Sequence, residues 1–231
     1  RFYRAALQVN SFEYVRRHSK PTTFTSETEY NRAMVEACQR LGIEVIATAD
    51  HYEVTTSETL RMAAQAAGIK VFPGFEAVTK EGVHMLCICD PAKDGKALER
   101  IIGECGVQSD GKSPSPLGKL DVESFLESAK AWGSICIAAH VTSNGGLLRV
   151  LSGQPRARAW CAPALSACSI PGPATDAPPE HKPILLNRGP NYARVHPVAI
   201  LNAQDASAPE DLEKPGGTCL IKMSDVSIEG L

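Results

Sequence analysis

The sequence alternates short apolar runs of β-type composition with segments of helical periodicity along most of its length. Strands that follow one another through helices need crossover connections, which are typical of a mainly parallel sheet. The alternation therefore predicts an α/β fold in which the parallel strands can close into a barrel. The predicted strands are Phe2–Val9, Val45–Thr48, Val71–Phe75, His84–Cys89, Ile135–Ala139, Ala164–Ile170, Val198–Leu201 and Cys219–Met223.

The helical segments show apolar residues three and four positions apart and end at glycines. In the segment Glu27–Leu41 this spacing runs up to Gly42, which ends the helix. A second helix is predicted from Ser57 to Gly68, and a third over Gly95–Gly103. Asp121 has the residue type and position of the N-cap of a fourth.

Composition excludes several classes of protein. The 231 residues carry a formal net charge of -2, so bulk positive charge does not draw this chain to nucleic acid, although a local basic groove stays open. No run of about 18 uncharged apolar residues is present, so no membrane span is predicted. The N-terminus lacks the pattern of a signal peptide. Most of the eight cysteines lie inside apolar runs, and no C-x-x-C pair occurs, so we expect reduced thiols and a cytoplasmic protein.

The chain is expected to form a single domain over residues 1–231. The first residue is not Met, and the last residues have the pattern of a helix cut after one turn. These ends suggest a fragment of a longer protein or a processed chain. Residues 106–119 are rich in Ser, Pro and Gly and predict a mobile surface loop.

Imidazole and carboxylate side chains stand at the ends of several predicted strands. A lone histidine there is usually a hydrogen-bonded surface residue, and a lone Asp usually caps the next helix. Several together at the carboxyl ends of barrel strands indicate a site, and this mixture of ligands suits Zn, Mn or Fe. The residues concerned are Asp50 and His51, Glu76, His140 and Asp205, together with His84, which opens a strand.

All of these residues except His84 belong to motifs that resemble those of the PHP family, named for polymerase and histidinol phosphatase. The matching segments, in the family's order, are Ala49-Asp50-His51, Pro73-Gly74-Phe75-Glu76, Ala139-His140 and Asn202-Ala-Gln-Asp205-Ala-Ser207. The resemblance implies a distorted (β/α)7 barrel, up to three metal ions and phosphoester hydrolysis. The two ends of the chain also resemble the subgroup in which this domain precedes a large SMC-like ATPase, which implies that the chain is the N-terminal part of a longer protein.

The sequence departs from the family at three histidine positions. Gln8 and Asn10 stand where the family has His-x-His at the end of the first strand, and Ser207 stands where it has a last histidine. Amide oxygens bind zinc weakly and suit hard cations better. We therefore expect a divalent metal (Mn, Zn or Fe) in fewer than three sites.

The resemblance also implies how the remaining ligands divide among the metal sites. One site could be complete, with Glu76, His84 and His140 as its ligands. A second keeps only Glu76 and Asp205, and a third keeps His51. The candidate catalytic residues are His51, Asp50 and Asp205, which would orient the substrate, position a water molecule or act as general base.

Basic residues offer candidates for phosphate binding. His18 lies between Arg17 and Lys20 in a basic cluster that could hold a phosphate or the third metal ion, although a solvated loop is the more ordinary interpretation. Lys222 follows a strand and is a second candidate.

Three functions stay open at this level. The first is a metal-dependent phosphoesterase acting on nucleotides or nucleic-acid ends, and the surviving ligands favour it because a scaffold needs none of them. The second is a catalytically inactive binding or regulatory module that serves a C-terminal ATPase domain, and the loss of His-x-His favours it. The third is a nonhydrolytic sensor of nucleotides or nucleic-acid ends.

The amides at two of the three positions that lack the family's histidines lead to one specific expectation. Residues two apart in a strand face the same side, so Gln8 and Asn10 should both point into the cleft while Leu7 and Val9 pack on the other face. The amides should then hold Glu76 or Asp205 by hydrogen bonds in place of an ion.

Overall fold

The computed structural model describes residues 1–107 and 113–231. The strands of this part of the chain follow the predicted runs closely, with differences of one or two residues at most ends. They are β1 (Phe2–Val9), β2 (Val45–Thr48), β3 (Lys70–Phe72), β4 (Gly74–Val78), β5 (His84–Cys89), β6 (Ser134–Ala138), β7 (Leu165–Ser169), β8 (Ala199–Leu201) and β9 (Cys219–Lys222).

The helices include the four that periodicity predicts and several shorter ones. Three of these four begin after a side chain that accepts a backbone N–H of the first turn: Ser26, Asp94 and Asp121. The helices are α1 (Phe12–Arg17), α2 (Glu27–Arg40), α3 (Glu58–Ala66), α4 (Gly95–Glu104), α5 (Val122–Ala131), α6 (Leu147–Val150), α7 (Gly153–Cys161) and α8 (Lys182–Leu185), with 3-10 turns at Ala174–Asp176 and Pro209–Glu213.

The described strands form two sheets. One has the order β3-β2-β1-β9 and the other the order β4-β5-β6-β7-β8. The pairs β1–β2, β2–β3, β6–β7 and β7–β8 are parallel, whereas β1–β9, β4–β5 and β5–β6 are antiparallel. The α/β class is confirmed, but the described strands do not close into one barrel.

The two sheets face each other across a shared apolar core. Its residues come from both sheets, including Leu7 and Ala47 on one side and Leu86 and Ile137 on the other. Two further clusters lie between each sheet and its helices. Isolated bridges also join the sheets, among them a parallel bridge from His51 to Glu76. This bridge lies at the rim where the candidate ligands meet.

The predicted strand Val71–Phe75 is in fact two strands separated by Pro73. Proline has no backbone N–H to donate to a neighbouring strand, so the ladder breaks there and the chain passes from one sheet to the other. Glu76 therefore lies inside β4 rather than after a strand end. Gly74 is required at the crossing, because a Cβ there would lie 2.5 Å from the carbonyl oxygen of Cys87.

The proposed loop at 106–119 falls partly outside the described residues, since residues 108–112 are not described. No helix in the described ranges is both long and apolar enough to cross a membrane.

Candidate metal centre

The carboxylate of Glu76 is the centre of a cluster of imidazoles. Its side chain is 2% exposed. One oxygen, Oε1, lies 2.8 Å from His84 Nδ1 and 3.4 Å from His140 Nε2. The other, Oε2, lies 3.6 Å from His51 Nε2 and accepts a hydrogen bond of 3.2 Å from Gln8 Nε2. Four chain segments therefore converge on a single buried carboxylate.

The topology explains why these segments meet. His51 follows β2 and His140 follows β6, so both stand beyond the carboxyl ends of their strands. His84 opens β5, but β5 runs antiparallel to β6, which brings its first residue to the same rim. Glu76 reaches that rim through its bridge to His51.

Close packing and local strain fix two of the imidazoles. His140 has φ of 30°, in the left-handed region that residues other than glycine rarely adopt, and its N–H donates to Ser169 Oγ at 2.7 Å. The N–H of His84 donates to the carbonyl of Gly145, and a Cβ at Gly145 would lie 2.6 Å from His84 Cδ2. Glycine is thus required for the backbone to support the His84 ring.

The electrostatics of the cluster suit a cation. Burial by itself would raise the pKa of the Glu76 carboxyl, but hydrogen bonds from His140 and His84 outweigh it and hold that pKa well below its usual range. Burial lowers the pKa of His51 to about 4. At neutral pH the cluster therefore presents an ionised carboxylate beside a neutral imidazole, the states in which both bind metals.

The donor set fits a divalent transition metal. Ligand atoms of His51, Glu76 and His84 lie within 4.8 Å of one another, the one such group of His, Cys, Asp and Glu found among the described residues. The buried atoms Nδ1 of His51 and Nδ1 of His140 have no hydrogen-bond partner. Nitrogen and carboxylate ligands together suit Zn, Mn or Fe.

The amide positions lie at this cleft but differ in their contacts. Gln8 holds Glu76, as expected. Asn10 binds neither carboxylate: its Nδ2 donates to the carbonyl of Ala49 at 3.2 Å, and its Oδ1 accepts from Ser207 Oγ at 2.9 Å. The side chains of Asn10 and Ser207 are thus hydrogen-bonded to each other, at two of the three positions where the family has histidines.

The expectation for the opposite face of β1 is wrong. Leu7 packs in the core between the sheets, whereas Val9 packs against the helices with Ala6. The pairing of β1 with β2 shifts register between Ala6 and Val9, so the simple alternation of sides does not continue to the end of the strand.

Asp205 reaches the cleft paired with Lys20. The ammonium group contacts Asp205 Oδ2 and lies 2.7 Å from Ser207 Oγ, while Asp205 Oδ1 is buried without a hydrogen-bond partner. Burial raises the pKa of the Asp205 carboxyl, and the charge of Lys20 opposes that shift. Sequence reasoning missed this pair. The only signal was that Lys20 belongs to the basic cluster after β1.

Asp50 lies beside the metal cluster, but its carboxylate is fully engaged. Oδ1 accepts the N–H of Ser11, the N-cap of α1, and Oδ2 accepts the hydroxyl of Thr56 at 2.8 Å. These contacts give Asp50 the geometry of a residue that positions α1 against the loop carrying His51.

The two phosphate candidates fall in different places. His18 lies near the cluster, with its ring centroid 5.3 Å from that of His51 and its Nε2 3.3 Å from Ser115 Oγ. Lys222 is not brought to the cleft. It is exposed and pairs with Phe2 at the opposite end of β1, roughly 20 Å along the strand from Gln8.

Comparison with known proteins gives matches at the level of structure. No protein-family profile and no curated protein matches the chain. The lesion-specific endonuclease Q of Pyrococcus furiosus superposes with a TM-score of 0.66 at 14% identity, covering 100% of this chain and 55% of that one. An endonuclease Q bound to a 27-mer duplex with an abasic lesion gives 0.65 at 14% identity, with the same coverage. A Bifidobacterium adolescentis protein assigned to the metal-dependent phosphoesterases gives 0.55 at 16% identity, with 87% of each chain covered.

The chain has a PHP-type fold. It spans about half the length of the endonuclease Q chains, 55%, so these likenesses describe the fold of one part of those proteins.

Proposed function

We propose that the chain is a metal-dependent phosphoesterase that acts on nucleic-acid or nucleotide phosphoesters with fewer metal ions than its family's three. The observation that carries the proposal is the Glu76 carboxylate with three imidazoles around it, at 2.8, 3.4 and 3.6 Å. A buried structural carboxylate can be satisfied by any set of hydrogen-bond donors, whereas three imidazoles around one carboxylate are the nitrogen and oxygen ligand set of a metal site.

His51, Glu76, His84 and His140 would hold one divalent ion, such as Mn, Zn or Fe. When bound, the ion would lower the pKa of a coordinated water and polarise a phosphoryl oxygen. The unpartnered Nδ1 atoms of His51 and His140 leave each imidazole free to adopt the tautomer that coordination requires.

The chain's other residues would orient the substrate and move protons. Asp205 has one free oxygen at the cleft and is the candidate general base or water-positioning group. Gln8 would hold the second oxygen of Glu76 and so fix the carboxylate that the imidazoles share. Asp50 would act indirectly, through the position of Ser11 and α1.

A nucleic-acid substrate is supported by the structural neighbour that was solved with a DNA duplex containing an abasic lesion. The net charge of -2 requires that phosphate contacts come from local groups rather than from bulk charge. Near the cleft, Arg17 and His18 could supply such contacts, whereas the charge of Lys20 is already paired with Asp205.

The alternative is a catalytically inactive module attached to an ATPase domain. The specific observation in its favour is that Asn10 and Ser207 satisfy each other while Lys20 neutralises Asp205, so that half of the cleft needs no ion. An ATPase partner follows only from the resemblance of the chain ends to one PHP subgroup.

The proposal is tested by hydrolysis of bis(p-nitrophenyl) phosphate and of a duplex with one abasic site, after loading with Mn²⁺. We expect turnover that a chelator abolishes, and a loss of at least about 100-fold in Glu76→Gln and His140→Ala, in line with what single catalytic groups contribute. His196→Ala removes an exposed histidine from a distant loop and serves as the control. Metal binding without any turnover on either substrate would favour the inactive module.

A further inference from the structure

Beside the imidazole cluster lies a second group of oxygen atoms that face a positive charge supplied by the chain itself. The ammonium group of Lys20 contacts the carboxylate of Asp205 and the hydroxyl of Ser207, with Nζ 2.7 Å from Ser207 Oγ. It also lies over the ring of Tyr14, 4.8 Å from the centroid. The lysine is therefore held on three sides.

The oxygen atoms that the side chains of this cleft offer resemble the ligand set of a hard cation. Asp205 Oδ1 and Gln8 Oε1 are both buried and have no hydrogen-bond partner in the described part of the chain. Gln8 is 2% exposed, and its amide nitrogen is engaged with Glu76, so its carbonyl oxygen is left at the cleft. Carboxylate, amide and hydroxyl oxygens are the ligands that Mg²⁺ and Mn²⁺ take in proteins.

The position of Tyr14 explains why the lysine stays there. Its ring stacks on His18 with centroids 3.9 Å apart, which fixes the ring face that Lys20 covers. Tyr14 belongs to α1, whose N-cap Ser11 is anchored by Asp50. The segment that carries Lys20 is thus tied to the same rim as the metal ligands.

We propose that the ammonium group of Lys20 is a built-in replacement for a second divalent cation, so that the cleft binds one metal ion and excludes another. The ammonium group is paired with the Asp205 carboxylate, which a second ion would need as a ligand. A second cation would also be repelled, because like charges a few ångströms apart repel each other. The inference rests on the proposed function only for the first ion, which the imidazole cluster would bind. The exclusion of a second ion depends on different groups, the oxygens of Asp205, Ser207 and Gln8.

The test is the metal stoichiometry of the intact chain, measured by calorimetric titration with Mn²⁺ and by elemental analysis after removal of free ions. We expect one equivalent for the unaltered chain and for Lys20→Arg, which keeps the charge, and two for Lys20→Met. Lys214→Met is the matched control, because Lys214 is an exposed lysine paired with Asp211 at the same surface pocket; it should bind one.

A second variant covers the case in which Lys20→Met fails to fold. Lys20→Gln keeps a hydrogen-bond donor without the charge and should also bind a second equivalent, with a larger rise in melting temperature on adding Mn²⁺ than the unaltered chain shows. Equal stoichiometry in the unaltered chain, Lys20→Met and Lys20→Gln would overturn the inference.

The same titration separates this inference from the proposed function. The difference between variant and unaltered chain measures exclusion by Lys20, whereas the stoichiometry of the unaltered chain measures the imidazole site. No binding to the unaltered chain with one equivalent in Lys20→Met would overturn the metal centre and support the exclusion. Two equivalents in the unaltered chain would overturn the exclusion and leave the metal centre standing.

Discussion

Replacing Gly145 by alanine should displace the imidazole of His84, a proposed metal ligand, although no ionisable residue is itself replaced. The backbone of Gly145 has φ of +76°, where an L-residue costs roughly 1–2 kcal/mol. The new Cβ would also lie 2.6 Å from His84 Cδ2 and 2.9 Å from His84 Nε2, so the imidazole must move. Because His84 Nδ1 is only 2.8 Å from Glu76, that movement changes the geometry of the cluster.

The chain offers a matched control for the backbone part of this effect. Gly68 has φ of +82°, and a Cβ there would meet nothing within 4 Å. Gly68→Ala and Gly145→Ala should therefore lose about the same 1–2 kcal/mol from backbone strain. In a domain of this size that corresponds to a fall of roughly 2–8 °C in the melting temperature of the metal-free protein.

Metal affinity should separate the two variants. Residues that orient a ligating histidine typically contribute about 10- to 100-fold to metal affinity, so Gly145→Ala should weaken Mn²⁺ or Zn²⁺ binding by that factor. Gly68→Ala should leave the affinity unchanged. Calorimetric titration measures both. An affinity unchanged in both variants would refute the assignment of His84 as a ligand, and an equal loss in both would show that general destabilisation, not the imidazole, sets the affinity.

Two further changes address the remaining residues of the cleft. The first restores the family's histidines in the Lys20→Met background, with Gln8→His, Asn10→His and Ser207→His. It should raise the amount of bound Zn²⁺ measured by elemental analysis, because imidazole nitrogens bind zinc more strongly than amide oxygens. An unaltered zinc content would contradict the assignment of these three positions. The second, Asp50→Asn, should lower the free energy of unfolding in denaturant by about 1–3 kcal/mol, because the carboxylate accepts both the Ser11 N–H and the Thr56 hydroxyl. The metal stoichiometry should stay the same. A loss of metal without a loss of stability would instead place Asp50 in the ligand set.

Local patterns in the sequence were sufficient for most of the secondary structure. Helical spacing and the cap at Asp121 predict α5, and the apolar run before Asp50 predicts β2. These features depend on residues within one turn or one strand, where side-chain periodicity and capping act directly. The candidate ligands at the rim could also be identified from the sequence, because imidazoles and carboxylates at strand ends are few.

Strand direction and register required the tertiary structure. The antiparallel placement of β5 and β9, the different sheets that β3 and β4 join and the different surroundings of Leu7 and Val9 follow from pairing between distant segments. Periodicity describes which residues share a face of a strand, but it carries no information about the partner strand or about a register shift.

The contacts of the individual site residues were also decided at long range. The sequence alone identified His51, Glu76 and His140 as candidate ligands, since their types and positions point to metal chemistry. It did not pair Lys20 with Asp205, which lies 185 residues further along the chain. An ion pair of this kind forms only when folding brings two remote segments to the same point, so tertiary structure determines which charge faces each carboxylate.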